Sequence, residues 1–304
     1  MSGVNVSICR SSIEPFHKVN DLSSLALITE GGGQRGVFTA GVLDVFMENN
    51  FNPFSLLIGA SAGSLNLASY ICNQRQHAYR VITEVTTKKH FFNYYNLFSN
   101  KGAMNLDWLI EETKSNLKLD WDTGKKNMKY KKVLACASCL YEDKAEFFDL
   151  NLGSWEDSLK ASCSIPLLNR HPVYFNQKYW VDGGLSAPIP VEEAYNRGFK
   201  NLVVIRTNPK GTYSSHQWLK VAKKCLSKTK VAALIDMLLI HERNYERNEK
   251  FINDPPDDAV IYEIHPSKKL NANLVGSDLL SLHSDYEHGR KLGKYFLQYY
   301  NHLK

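Results

Sequence analysis

Two short apolar runs, Leu25-Ala26-Leu27-Ile28 and Leu56-Leu57-Ile58, each break into a glycine loop and then into a helical pattern. No other feature constrains the chain as much. Such runs read as buried strands, and open α/β sheets place their ligand-binding loops at the carboxyl ends of strands. The first loop, Gly31-Gly32-Gly33-Gln34-Arg35-Gly36, is expected to turn its amides toward a ligand. The second, Gly59-Ala60-Ser61-Ala62-Gly63, fits G-x-S-x-G, a strand-to-helix reversal that holds a serine hydroxyl out on a strained turn. Ser61 is the candidate nucleophile. The helix that follows it aims unpaired N–H groups back at the serine, where they can stabilise developing negative charge.

At 304 residues, 43% of them hydrophobic, the chain suits one large α/β domain or a core with an extension. A net charge of +6 favours anionic surfaces, lipid headgroups among them, but is too mild and scattered to demand nucleic acid. The six cysteines are sparse and sit mostly inside apolar runs, so they read as reduced. Cys136-Ala137-Ser138-Cys139 is a lone C-x-x-C in an apolar strand pattern, which reads as core packing, and no metal is expected. Met1 to Asn20 lacks the basic start and apolar stretch of a signal peptide, and no run of about 18 apolar residues spans a bilayer. The expected location is the cytoplasm, with peripheral membrane contact allowed and export by an unseen signal left open.

In chain order, residues 1–21 are polar and aperiodic and read as an arm or loop. After the glycine loop, Val37, Ala40, Val42, Leu43, Val45 and Phe46 fall at helical spacing. Residues 77–123 read as mainly helical and carry Lys88-Lys89-His90-Phe91-Phe92-Asn93-Tyr94-Tyr95, either a half-buried helix end or a lid or lipid-facing surface. With the lysines among 125–132 this cluster offers an anion-attracting face, and the bland alternative is a solvated surface. Residues 133–140 and 145–150 form a hairpin-like pair, and Ser154 with Asp157 caps a helix ending at Ile165-Pro166. A second strand pair around Asn176-Gln177-Lys178 delivers Asp182-Gly183-Gly184, an acid followed by two glycines at a strand end. Beyond a short helix over 191–197 and a strand over 202–205, the texture changes. Long amphipathic segments, 217–247 and 284–300, flank a strand-like run at 260–264. The expected division is an arm at 1–21, a catalytic domain at 22–210 and a mainly helical extension at 211–304.

Gly31, Gly33 and Gly36 also satisfy G-x-G-x-x-G, so a dinucleotide fold must be weighed. That fold wants an acid at the end of the second strand, about 20 residues on, where this chain has Gly59-Ala60-Ser61. A hydrolytic serine needs a base and oxyanion donors, and the ordinary expectation is a histidine. Among the ten histidines none carries a signature. His241-Glu242-Arg243-Asn244-Tyr245 misses H-E-x-x-H by its tyrosine, and His216, His265 and His283 lie in the extension without a motif. Replacing any of these four is expected to cost little.

The three blocks 31–36, 59–63 and 182–184, in this order, resemble the signature blocks of the patatin-like phospholipase family, and Ala161-Ser162-Cys163-Ser164-Ile165-Pro166 resembles another. The resemblance covers about Leu25 to Thr207, and the extension is similar to that of a bacterial subgroup. It implies a three-layer α/β/α sandwich with a central, mostly parallel sheet and a C-terminal helical extension. It implies a catalytic dyad of Ser61 and Asp182, with Gly31, Gly32, Gly33, Gln34, Arg35 and Gly36 as the oxyanion loop. An aqueous aspartate, pKa near 3.9, is a poor base for a serine, but burial raises its proton affinity. Arg35 either assists at a substrate phosphate or anchors the loop. The expected activity is a serine acyl hydrolase of phospholipase A or lysophospholipase type, acting on glycerophospholipid or lysophospholipid esters without cofactor or metal. The alternatives are an esterase or acyltransferase on soluble esters or thioesters, and a catalytically idle module that binds a lipid surface or partner.

Overall fold

The structure, a computed structural model, describes residues 3–9, 24–96, 102–142, 144–211 and 230–303. Its strands are β1 (Val4–Ile8), β2 (Leu25–Thr29), β3 (Phe54–Ala60), β4 (Lys132–Cys139), β5 (Ala145–Asp149), β6 (Val173–Phe175), β7 (Lys178–Asp182), β8 (Asn201–Ile205) and β9 (Val260–Ile264). They form one sheet in the order β1-β9-β8-β2-β3-β4-β7-β6, with β5 also paired to β4. The pairs from β1 through β4 are parallel, and those joining β4 to β5, β4 to β7 and β6 to β7 are antiparallel.

Helices cover both faces, which explains why β2, β3 and β8 are apolar without alternation. These helices are α1 (Gly36–Glu48), α2 (Ala62–Ile71), α3 (His77–Arg80), α4 (Leu106–Glu112), α5 (Trp121–Asn127), α6 (Trp155–Ser162), α7 (Val191–Asn196), α8 (Lys230–Asn253) and α9 (Leu279–Leu303). Leu27, Leu57, Val133 and Val203 meet Phe46 of α1, Leu67 of α2, Leu159 of α6 and Phe296 of α9. Their neighbours Ile28, Ile58, Leu134 and Val204 face the other way, toward Val191 of α7 and Ile252 of α8. The result is a three-layer α/β/α sandwich.

One end of the chain departs from the sequence expectation. Where residues 1–21 read as an arm, Val4–Ile8 is a strand in parallel register with Val260–Ile264. Its polar residues hid the pattern. Val6 and Ile8 enter the core, while on the other, half-buried face Asn5 donates to Ile252 O (2.7 Å) and Ser7 Oγ lies 2.7 Å from His265 Nε2. Residues 10–21 lie outside the described residues. The C-terminal segment adds β9 between β8 and β1 and lays α9 along α1. That crossing is close because Gly41 and Gly289 stand there; a Cβ on either would run into the Tyr286 or Phe38 carbonyl oxygen. Tyr286 OH donates to the buried Asp44 Oδ2 at 2.6 Å, which pins the two helices in register.

Candidate active site

β3 passes into α2 through the single residue Ser61, whose φ of 52° and ψ of −128° lie in a sparsely populated region. Such a backbone costs on the order of 1–3 kcal/mol and persists only where its surroundings hold it. The two flanking glycines make room. A Cβ on Gly63 would stand 2.6 Å from Thr29 O and 2.8 Å from Glu30 O, and one on Gly59 would stand 2.5 Å from Ser64 N. The serine peptide is then tied down. Ser61 N donates to Ser162 Oγ at 2.9 Å, and Ser64 Oγ donates to Ser61 O at 2.6 Å.

Asp182 reaches the same level by sheet register. Ala60 pairs with Cys136 on one side of β4, and Asp182 pairs with Ala137, the next residue of that strand. Across this gap Ser61 Oγ donates to Asp182 Oδ2 at 2.6 Å, and Gly184 N donates to Asp182 Oδ1 at 2.8 Å. Both side chains of the pair are buried. Burial pushes the Asp182 carboxyl up to about 6, against the lowering pull of its bonds from Ser61 and Gly184. Glycine at 183 is obligatory, since a Cβ there would run into the Cys136 carbonyl. The block at the end of α6 joins the two halves: the carbonyls of Ser162 and Ser164 accept from Gly183 N (3.1 Å) and Asp182 N (2.8 Å), while Ser162 Oγ holds the Ser61 amide. Sequence reasoning noted this block but gave it no role.

The glycine loop stands against the serine; a Cβ on Gly31 would be 3.2 Å from Ser61 Cβ. Gly32 and Gly33 have φ of 146° and 56°, and a side chain at Gly33 would collide with Leu274 O. Of the six loop residues, Gln34 donates its amide to Leu274 O (2.9 Å) and Arg35 to Gly32 O (3.1 Å). Among the described residues, no group accepts from the Gly31, Gly32 or Gly33 amide. Arg35 anchors the loop, with Nη1 on Asn208 Oδ1 at 2.6 Å and Nε on Gly32 O at 3.4 Å.

At β2 the strand order reverses, the place where a dinucleotide would lie in a doubly wound sheet. Here the Glu30 carboxylate fills it. Glu30 accepts from Thr207 N (2.6 Å) and Asn208 Nδ2 (2.7 Å), so protein occupies the crevice. Beside Ser61 opens an apolar cleft of about 70 Å³, walled by Leu65, Val81, Phe91, Met104, Leu109 and Leu274. His77 lines it too, but its ring is spent on Ser69 Oγ (2.8 Å) and Leu117 O (2.7 Å), and burial lowers its pKa.

The hydrogen bonds of the Asp182 carboxylate go to Ser61 and Gly184, and none of the described histidines joins them. His265 is buried on Ser7, His283 is 3.3 Å from Tyr79 OH, and His216 lies outside the described residues. His241 is different. Its Nδ1 is 2.6 Å from Gly184 O, directly behind the Asp-Gly-Gly turn, a contact no local motif announces. Cys136 and Cys139 are buried in β4 as free thiols, and no group of metal-ligating side chains occurs among the described residues.

The two lysine clusters do not share a face. Lys129 and Lys132 lie where β3 and β4 begin, and Asn127 at the end of α5 donates to Ile71 O at the far end of α2. Ser61 is at the opposite end of those elements. Lys88 and Lys89 instead precede Phe91 of the cleft wall, and Lys88 Nζ sits 5.9 Å from the Trp108 ring centre. No helix among the described residues is long and apolar enough to cross a membrane.

Comparison with known proteins accords with this geometry. A family model described as patatin-like phospholipase matches residues 27–195, and one for a domain of unknown function (DUF6363) matches residues 231–303. An uncharacterized protein of Escherichia coli (strain K12), YjjU, is 40% identical over 292 residues, covering 96% of this chain and 81% of its own. VipD from Legionella pneumophila shares the fold, with a TM-score of 0.50 at 12% identity, over 98% of this chain and 70% of that one. ExoU of the Pseudomonas aeruginosa type III secretion system, solved with SpcU, aligns at 12% identity over 75% of this chain and 52% of the matched one, with a TM-score of 0.33. The sheet order, the strained serine turn and the family match over more than half of its length agree: the chain belongs to the patatin-like phospholipase family.

Proposed function

We propose that this chain is a serine acyl hydrolase that cleaves fatty acyl esters of glycerophospholipids or lysophospholipids through Ser61 and Asp182. The observation that supports it is the 2.6 Å hydrogen bond from Ser61 Oγ to a buried Asp182, beside an apolar cleft suited to an acyl chain. As Ser61 Oγ bonds to the ester carbon, its proton passes to Asp182 Oδ2 and the carbonyl electron pair moves onto oxygen. The amides of Gly32 and Gly33 receive that oxyanion. Collapse breaks the ester C–O bond, the departing lysolipid or glycerol oxygen takes the proton from Asp182, and the acyl group stays on Ser61. Water then attacks with Asp182 again as base, releasing the fatty acid.

Each part has a scale. A positioned base contributes roughly 10²–10⁴-fold, and one oxyanion donor about 10²–10³-fold. With its pKa raised to about 6, Asp182 is a stronger base than an ordinary aspartate and still ionised at neutral pH. Acylation is therefore expected to rise with pH through about 6 and level off above it. The cleft, about 70 Å³, is smaller than the roughly 300–1,000 Å³ of most ligand pockets, so short esters are the second substrate class to try. The experiment is a fluorophosphonate probe with peptide mass analysis, beside fatty acid release from phospholipid vesicles by wild type and Ser61→Ala. Label on Ser61 and release lost in the variant are expected. Label on another serine with Ser61→Ala still active refutes the assignment.

A further inference from the structure

Helix α8 meets the rest of the molecule with a polar face. The inward positions are Ile235, His241, Glu242, Asn244, Tyr245, Asn248, Glu249 and Ile252, and from His241 to Glu249 every one of them is polar. Their hydrogen bonds reach two loops, besides a bond from Asn248 Nδ2 to Glu192 Oε1 of α7 (3.4 Å) and one from Gly211 N to Glu249 Oε1 (3.3 Å). His241 Nδ1 donates to Gly184 O (2.6 Å), Asn244 Nδ2 donates to Leu185 O (2.9 Å), and Asn248 Oδ1 accepts from Ile189 N (3.2 Å). These three hold the backbone that follows Asp182. Tyr245 OH donates to Glu30 Oε1 (2.9 Å) and accepts from Arg206 Nη2 (2.9 Å), while Glu249 takes the same guanidinium nitrogen at 2.6 Å. Glu30 is the residue before the glycine loop, and Asn208 links its carboxylate to Arg35 inside that loop.

One helix face thus touches the loop that follows Asp182 and the root of the glycine loop that stands against Ser61. An apolar stripe would bury as much area but leave both loops free to slide, because hydrophobic contact has no direction. Hydrogen bonds fix direction, and buried ones are costly to leave unmade. We infer that α8 is a strut that sets Asp182 and the glycine loop relative to one another, with His241 as a positioning residue for Asp182 and Tyr245 as one for the glycine loop. The inference rests on the reading of Ser61 and Asp182 as the reacting pair. It assigns a task to the segment matched by the domain of unknown function. The route from His241 is short: Gly184 takes the imidazole on its carbonyl and gives its amide to Asp182 Oδ1, so the orientation of this glycine sets the rotation of the carboxylate.

The test is the rate of Ser61 labelling by a fluorophosphonate, with kcat and KM on a short monomeric ester, for wild type, His241→Leu, His241→Asn and Tyr245→Phe. A misplacement near 1 Å costs on the order of 10²-fold, so His241→Leu should lose roughly 10- to 100-fold in labelling and kcat. KM should stay nearly unchanged, because the cleft is walled by residues outside α8. Asn places its amide nitrogen where Nδ1 stood, so His241→Asn should recover most of the loss. Tyr245→Phe removes one hydroxyl and should lower kcat with KM again unchanged. A folded His241→Leu with wild-type rates overturns the inference, as does an Asn variant no better than Leu. If His241→Leu does not fold, wild-type rates in Tyr245→Phe overturn it, and a loss in kcat alone sustains it. Absence of label on wild-type Ser61 would instead remove the dyad reading, and the strut with it.

Discussion

Asp182→Asn should make the protein inactive and more stable at once. The buried carboxyl ionises near 6, against 3.8 for an ordinary aspartate. The folded state therefore holds this proton more tightly than the unfolded chain. Below about 3.8 both states are protonated and the site carries no penalty. As pH rises toward 6, the unfolded carboxyl ionises first and stability falls; above 6 the loss is constant. A gap of about two pH units corresponds to about 3 kcal/mol on the alkaline plateau, and to about half of that at pH 5. Asparagine has nearly the same shape, can accept from Gly184 N through Oδ1 and can donate to Ser61 Oγ through Nδ2, so little else changes. Urea unfolding of wild type and variant at pH 8, 6 and 5 reads the difference as a midpoint shift at constant slope. The variant should be more stable by up to about 3 kcal/mol at pH 8, with the gap closing toward pH 5, while turnover falls by at least about 10²-fold. A gap that does not change with pH, or a wild type more stable at pH 8, would refute the claim that burial raises this carboxyl.

Gly63→Ala should fail to fold or lose Ser61 labelling, since its Cβ meets the Thr29 and Glu30 carbonyls, whereas Gly153→Asn, in open space but at a φ of 83°, should keep Ser61 labelling and lower the thermal midpoint only slightly. Lys88→Gln with Lys89→Gln should weaken sedimentation with anionic vesicles at low salt, each lysine near such a surface being worth about 1 kcal/mol. The triple change of Lys125, Lys126 and Lys129 to Gln should not, because those residues lie at the opposite end of the strands; equal effects from the two variants would contradict this placement. Arg206→Leu should destabilise by about 3–5 kcal/mol in urea unfolding, because it leaves the buried Glu263 with only Asn5 and the more distant Lys210, and leaves Glu30 and Glu249 short of a partner in the interior.

What could be read in the sequence is what is local. β2, β3 and their loops announce themselves because strand, turn and helix follow one another within a few residues, and close packing makes glycine compulsory at Gly59, Gly63 and Gly183. The hairpins β4–β5 and β6–β7 are legible for the same reason. β1 was hidden because Asn5 and Ser7 look like loop residues until Ile252 O and His265 are seen to satisfy them. The separation of the lysine clusters depends on which end of a strand each one flanks, which no pattern in the chain records.

The role proposed for α8 is hidden from the sequence for a deeper reason. Amphipathic analysis finds the face of a helix by its apolar stripe, and assigns polar positions to solvent. In α8 the stripe of His241, Asn244, Tyr245 and Asn248 points inward, so an apolar-stripe reading takes this packed face for surface. The near miss to a zinc motif singles out His241 and Tyr245 in the sequence, but a tyrosine at its last position removes them as metal ligands and leaves no other local signature. The same spacing, one helical turn, is what a helix needs to touch two loops 150 or so residues apart in sequence. His241 takes the turn after Asp182 and Tyr245 the residue before Gly31, so the pair whose tyrosine rules out zinc is the one that reaches both Asp182 and the glycine loop.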